Sequence, residues 1–129
     1  MGNDERPLEW MGDSKKRLID MPIDVKKAIG HELHLAQHGE MPPHAKPFKG
    51  VGSGVFEIVK PFDTNTYRAV YAVKMGSRMY VLHAFQKKSK KGIATAQSDV
   101  DLIKARYKEA QELEKFYEQK ENNNDQKKN

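Results

Sequence analysis

Residues 67–86, YRAVYAVKMGSRMYVLHAFQ, decide the fold. Two runs rich in β-branched, aromatic and small apolar residues, YRAVYAVK (67–74) and MYVLHAFQ (79–86), flank the short breaker MGSR (75–78). That pattern predicts two antiparallel strands joined by a tight turn. Just upstream, VFEIVK (55–60) reads as another strand, and PFDTNT (61–66) supplies the Asp, Asn and Thr that favour a turn. Three strands with short connections make an antiparallel meander.

On the N-terminal side, MPPHAKPFKGVGSG (41–54) reads as a loop, because its prolines and glycines leave no regular element. Before it, residues 21–40 predict a helix, with Pro22 and Asp24 suited to its first turn and Gly39 as its stop. Its buried stripe is Val25, Ile29, Leu33 and Ala36. Gly30 interrupts the helix and suggests a close contact there. KKRLID (15–20) predicts a shorter helix capped by the side chain of Asp13 or Ser14. LEW (8–10) suggests an edge strand, and residues 1–7 a disordered leader.

On the C-terminal side, KKSKKGIATAQ (87–97) reads as a basic loop. Ser98 or Thr95 is placed to cap a helix over 99–120, whose stripe includes Val100, Ile103, Tyr107, Ala110 and Tyr117. Residues 120–129 read as a disordered polar tail. Segregated helices and strands give an α+β domain over residues 8–119, with two N-terminal helices, a small twisted sheet and a C-terminal helix. The helices are expected to cover one sheet face and leave the other as a shallow concavity.

Net charge is +5, and its placement is uneven. No Asp or Glu occurs from Thr64 to Ser98, while Arg68, Lys74, Arg78, Lys87, Lys88, Lys90 and Lys91 give that stretch +7. Residues 1–63 and 99–129 are each at −1. A merely solvated face mixes signs, so this segregation points to a polyanionic partner, nucleic acid first. The chain has no cysteine, which excludes disulfides and thiolate metal sites. No apolar run approaches the ~20 residues that span a bilayer. MGNDERPLEW has no apolar signal-peptide core, and a cytoplasmic protein without membrane contact is the expectation.

His31, His34 and His38 share one exposed helix face, but no carboxylate or cysteine completes a ligand set, so no metal is expected. GVGSG (50–54) lacks the Lys-Ser/Thr ending of a phosphate loop and reads as a hinge. Arg68, in mid-strand, must pair with an acid, with Glu57 nearest in sequence, or face an open concavity where its planar fork suits phosphate. Strand parity groups His83 with Met79, Val81 and Phe85. It is then either a satisfied core histidine or the one group near the lysines that titrates near neutrality.

TYRAVYAV, LHAFQKKS and the helix that follows, together with GHELHLAQHGE and KPFKGVGSGVFEIV, closely resemble the phage-derived, HigB-like branch of the RelE/ParE toxin superfamily. The resemblance covers roughly residues 8–112. It implies the same α+β fold and the toxin of a type II toxin–antitoxin pair. The partners implied are an antitoxin of the helix-turn-helix kind and mRNA on the ribosome. The activity implied is endoribonucleolytic, by 2′-OH attack on the adjacent phosphate, with no metal and no cofactor. Arg68 matches the arginine that acts on the scissile phosphate, and Lys87 and Lys88 match the basic pair after the last strand. The basic positions of the preceding strand are Glu57 and Val59 here, which makes Glu57 or His83 a substitute for proton transfer. Lys90, Lys91 and Arg78 are then expected to hold the RNA backbone. Two other readings stand beside this one. A ParE-like toxin would inhibit DNA gyrase without nuclease activity, and a decayed relative would bind RNA without turnover.

Overall fold

The strand MYVLHAF is apolar without alternation, and the structure shows why: it is buried on both faces. The computed structural model describes residues 5–87 and 95–127. The elements are β1 (Leu8–Trp10), α1 (Ser14–Ile19), α2 (Ile23–Gln37), β2 (Ala45–Pro47), β3 (Val55–Phe62), β4 (Asn65–Met75), β5 (Arg78–Lys87) and α3 (Gln97–Lys127). They form an α+β domain around one five-stranded sheet of order β1-β5-β4-β3-β2. The expected meander is its centre, with β3–β4 and β4–β5 antiparallel. β1 joins the outer side of β5 in parallel, as an edge strand.

The helices lie on both faces of the sheet, not on one as the element order suggested. On the first face, Val25, Ile29, Leu33 and Ala36 of α2 and Leu18 of α1 pack on Ile58, Tyr67, Ala69, Tyr71, Val81 and Ala84. On the second, Ile103 and Ala110 of α3 pack on Val55, Val70, Ala72, Tyr80, Leu82 and Phe85. Each face of β4 and β5 carries too much apolar surface to be left in water, at roughly 25 cal/mol for each Å² exposed.

Parity fails in β5, and this repositions the site. Val70 pairs with His83 while its neighbour Tyr71 pairs with Val81, so Leu82 is an extra residue, a β-bulge. Leu82 and His83 therefore both turn toward α3. Beyond the bulge the faces are exchanged: Met79, Val81 and Ala84 stand on the α1/α2 side, and Tyr80, Leu82 and Phe85 on the α3 side. The expected grouping of His83 and Phe85 with Met79 and Val81 is thus corrected.

Other differences are local. The segment read wholly as a loop contains β2, which pairs with β3 through Ala45, Lys46 and Pro47. Arg6, expected in a disordered leader, donates from its guanidinium to Ala36 O at 3.0 Å and from its backbone N–H to Gln37 O at 2.8 Å. These contacts satisfy carbonyls at the open end of α2. Residues 120–127, read as disordered tail, continue α3 as helix. Neither Asp13 nor Ser14 caps α1 through its side chain; Ser14 Oγ instead donates to Val81 O at 3.1 Å. No atom lies within 4 Å of a Cβ built on Gly30, so it marks no close contact. Gly39, at φ 85°, ends α2 as expected. The β3–β4 turn is two residues, Asp63 and Thr64, both at positive φ, as a twisted hairpin favours.

Candidate active site

Pairing register arranges the α3-side face of the sheet in rows. One row is Val59–Arg68–Phe85, the next Glu57–Val70–His83, and on the other side Pro61–Thr66–Lys87. Arg68, Glu57, His83 and Lys87 are thereby brought together on one face. Arg68 Nη1 donates to Glu57 Oε1 at 2.9 Å, and both side chains are largely buried. The cross-strand pair considered from the sequence is therefore formed. It occupies only part of the guanidinium. Arg68 Nε and Lys87 Nζ are both buried, and neither has a hydrogen-bond partner among the described residues. Arg68 and Lys87 are diagonal neighbours across the β4–β5 ladder, a relation that sets Cα atoms ~7–8 Å apart. Buried cationic donors without acceptors are costly and rare. Arginine offers an acceptor a planar fork and lysine a point charge.

His83 closes the row beneath. It is 1% exposed and stacks on Phe85 with ring centroids 4.6 Å apart. Its Nε2 lies 2.9 Å from Asp99 Oδ1 in the first turn of α3, and its Nδ1 lies 3.5 Å from Arg106 Nη1. A guanidinium can only donate, so Nδ1 is the acceptor and Nε2 carries the proton to Asp99. Burial lowers its pKa below the ordinary 6.5, with Arg106 and Arg17 adding to the effect and Asp99 opposing it. Neutral and enclosed, His83 has neither nitrogen open to a substrate.

Arg106 is the hub of this region. Nη1 donates to Leu82 O at 3.0 Å and Nη2 to Asp13 Oδ1 at 2.8 Å. Asp13 is held further by Arg17 Nε at 2.8 Å, and the two arginines lower its pKa to about 2.

Arg78 is not at this end of the sheet. Arg78 begins β5, nine residues from Lys87, or about 30 Å along the strand. It is enclosed by Glu114 (3.4 Å), Glu121 (2.9 Å) and the ring of Tyr117 (3.9 Å to the centroid). Lys88, Lys90 and Lys91 lie outside the described residues. His31, His34 and His38 are exposed on α2, as their spacing required. The GVGSG segment packs on α3: a Cβ at Gly52 would meet the Tyr107 hydroxyl at 2.5 Å.

The phage-derived protein Gp49-like family (DUF891) matches residues 16–108, most of the chain. The chain belongs to this Gp49-like family. It is a RelE-type toxin family, and the protein is a toxin of the toxin–antitoxin kind. Among solved structures, the chain is similar to the toxin–antitoxin complex RelBE2 from Mycobacterium tuberculosis. The identity is 14%, over 66% of this chain and 94% of that one, with a TM-score of 0.44. No curated protein matches it. Among the described residues, no helix is long and apolar enough to cross a membrane.

In this Gp49-like toxin, the residues that sequence reading passed over are Asp99, Arg106 and Asp13. Arg106 did leave a signal. It stands three residues after Ile103 and four before Ala110, inside the apolar stripe of α3, where a charge must have a buried partner. Asp13 and Asp99 left none, because nothing local distinguishes them from helix-capping acids.

Proposed function

We propose that this protein is an endoribonuclease, the toxin of a type II toxin–antitoxin pair, acting in the cytoplasm on mRNA held by the ribosome. The observation that supports this most is the pair of buried, unaccepted donors, Arg68 Nε and Lys87 Nζ, on one sheet face. A gyrase-directed toxin has no need of such a cation pair.

The reaction is attack of a ribose 2′-oxygen on the adjacent phosphorus. The bond to the 5′-oxygen breaks, leaving a 2′,3′-cyclic phosphate and a 5′-hydroxyl. Arg68 and Lys87 stabilise the charge that builds on the non-bridging oxygens. Glu57 takes the 2′-OH proton; its Oε1 is held by Arg68, which leaves Oε2 as the receiving oxygen. Lys87 returns a proton to the departing 5′-oxygen. His83, enclosed between Asp99 and Arg106, shapes the site rather than moving protons. Lys88 shares the catalytic assignment by resemblance, and Lys90 and Lys91 supply charge for the RNA backbone. Arg78 is left out of that set in this reading, because Glu114 and Glu121 engage its guanidinium. The partner that counters it is an antitoxin of helix-turn-helix type.

The test is induction of the protein alone, followed by mapping of RNA 5′ ends. Growth arrest, relieved by the antitoxin, and new 5′-hydroxyl ends within coding regions are expected. Arrest with intact transcripts and damaged or relaxed DNA would replace this reading with gyrase inhibition. RNA binding without arrest would leave only a decayed relative.

A further inference from the structure

We infer that Arg106 is a positioning residue: its guanidinium clamps the β-bulge at Leu82–His83 and thereby selects Lys87, rather than Gln86, to stand beside Arg68. The part that concerns cleavage rests on the nuclease reading above; the part that concerns register does not.

A strand with no bulge alternates strictly, and one extra residue flips every side chain beyond it. Tyr80 faces α3 through its packing in the α3-side core. Counting from Tyr80 by twos in a regular strand reaches Leu82, Ala84 and Gln86. The observed register instead gives Leu82, His83, Phe85 and Lys87, with Lys87 opposite Thr66 and Gln86 opposite Tyr67. The identity of the side chain next to Arg68 is therefore decided by whether the bulge holds.

A bulge disturbs the ladder and needs support from outside it. Arg106 supplies that support at the place where β1 leaves. The last β1 pair is Trp10 with Val81, and the Met11 N–H still bonds Val81 O at 2.9 Å. The next carbonyl, Leu82 O, takes Arg106 Nη1 at 3.0 Å, and the same nitrogen reaches His83 Nδ1. Both bulge residues thus meet one guanidinium. Its other end is anchored by Asp13, 93 residues away in sequence. The chain makes room for it: a Cβ at Gly12 would lie 2.6 Å from Arg106 Cζ. Arg106 is buried, so its fork exchanges no partners with water.

The test compares wild type, Arg106→Ala and Arg106→Ala/Gln86→Lys. Cross-strand backbone contacts by NMR report the register directly. Wild type should show Val70 opposite His83 and Tyr67 opposite Gln86. Arg106→Ala should move Gln86 to face Thr66. RNA cleavage at saturating substrate should fall on the order of 100-fold, the scale of a misplaced catalytic group, with KM changed little. Gln86→Lys should restore much of that rate in the Arg106→Ala background and do nothing for Lys87→Ala. An unchanged register in folded Arg106→Ala overturns the inference, whether or not the protein cleaves RNA. A shifted register in a protein whose wild type cleaves no RNA overturns the nuclease reading alone. A shifted register with no rescue overturns the selection of Lys87. Should Arg106→Ala fail to fold, Asp13→Ala removes the outer anchor from an exposed position. It should give the same register shift in part, and a wild-type register there overturns the inference equally.

Discussion

Arg68 and Lys87 stand diagonally across the β4–β5 ladder, each with a buried donor nitrogen that no described residue accepts. Among the described residues, Glu57 is the only carboxylate that pairs with either of them, so this part of the face carries a surplus of positive charge. Buried donors without acceptors are costly in the folded protein.

Arg68→Ala and Glu57→Ala should both lower stability, by about 3 kcal/mol, because each leaves a largely buried charge without its partner. Their effects on RNA should differ in sign. Arg68→Ala weakens binding and abolishes cleavage, whereas Glu57→Ala removes a competing anion and tightens binding while slowing cleavage. Thermal melting and a binding titration on both variants decide this. Parallel changes in all measurements would reduce Arg68 to a structural partner of Glu57.

The lysines should act in two tiers. Lys87→Ala should lower the cleavage rate at saturating RNA by about 100-fold, the usual size for a lost charge-stabilising donor. Replacing Lys90 and Lys91 together should leave that rate nearly unchanged. It should instead flatten the salt dependence of binding by roughly two phosphate contacts. Equal behaviour of all these lysines in both assays would make the segment an electrostatic patch only.

Arg78→Ala should leave RNA binding and its salt dependence untouched. The side chain is spent on Glu114, Glu121 and Tyr117 at the far end of β5. Melting should nevertheless show a loss of roughly 1–3 kcal/mol, since Glu114, which also accepts from Tyr80 at 2.7 Å, is buried and loses a donor. A reduced salt slope in this variant would return Arg78 to the RNA-binding set.

Stability should fall as pH drops below about 6.5. His83 has a lowered pKa in the folded protein and the ordinary 6.5 when unfolded, so the unfolded chain binds the extra proton first. The stabilisation is complete above 6.5 and is lost progressively toward the folded value. Melting temperatures at pH 7.5 and 5.5 should differ in wild type and draw together in His83→Gln. At lower pH a second loss is expected. The contribution of Asp13 is present above its unfolded 3.8 and disappears as pH falls toward about 2. Asp13→Asn should remove that second step.

The sequence by itself determined the order of the three helices and the central strands, the α+β class, the antiparallel centre and the acid-free stretch that carries Arg68 and Lys87. These follow from turn residues, periodicity and charge counts, all of which are local. It also contained the hint that β5 is buried on both faces, in the unbroken run MYVLHAF, although element order alone suggested a one-sided sheet. Only the tertiary structure decided which residues meet. The bulge at Leu82 reverses the facing of His83, Phe85 and Lys87, and no pattern within the strand encodes it. Its clamp is Arg106, held by Asp13 from 93 residues away. Arg78 and Arg68 carry the same charge within one acid-free segment, yet one is tied to α3 and the other keeps a donor unpaired. A contact between distant segments depends on where the whole chain packs, and local propensity carries no record of it.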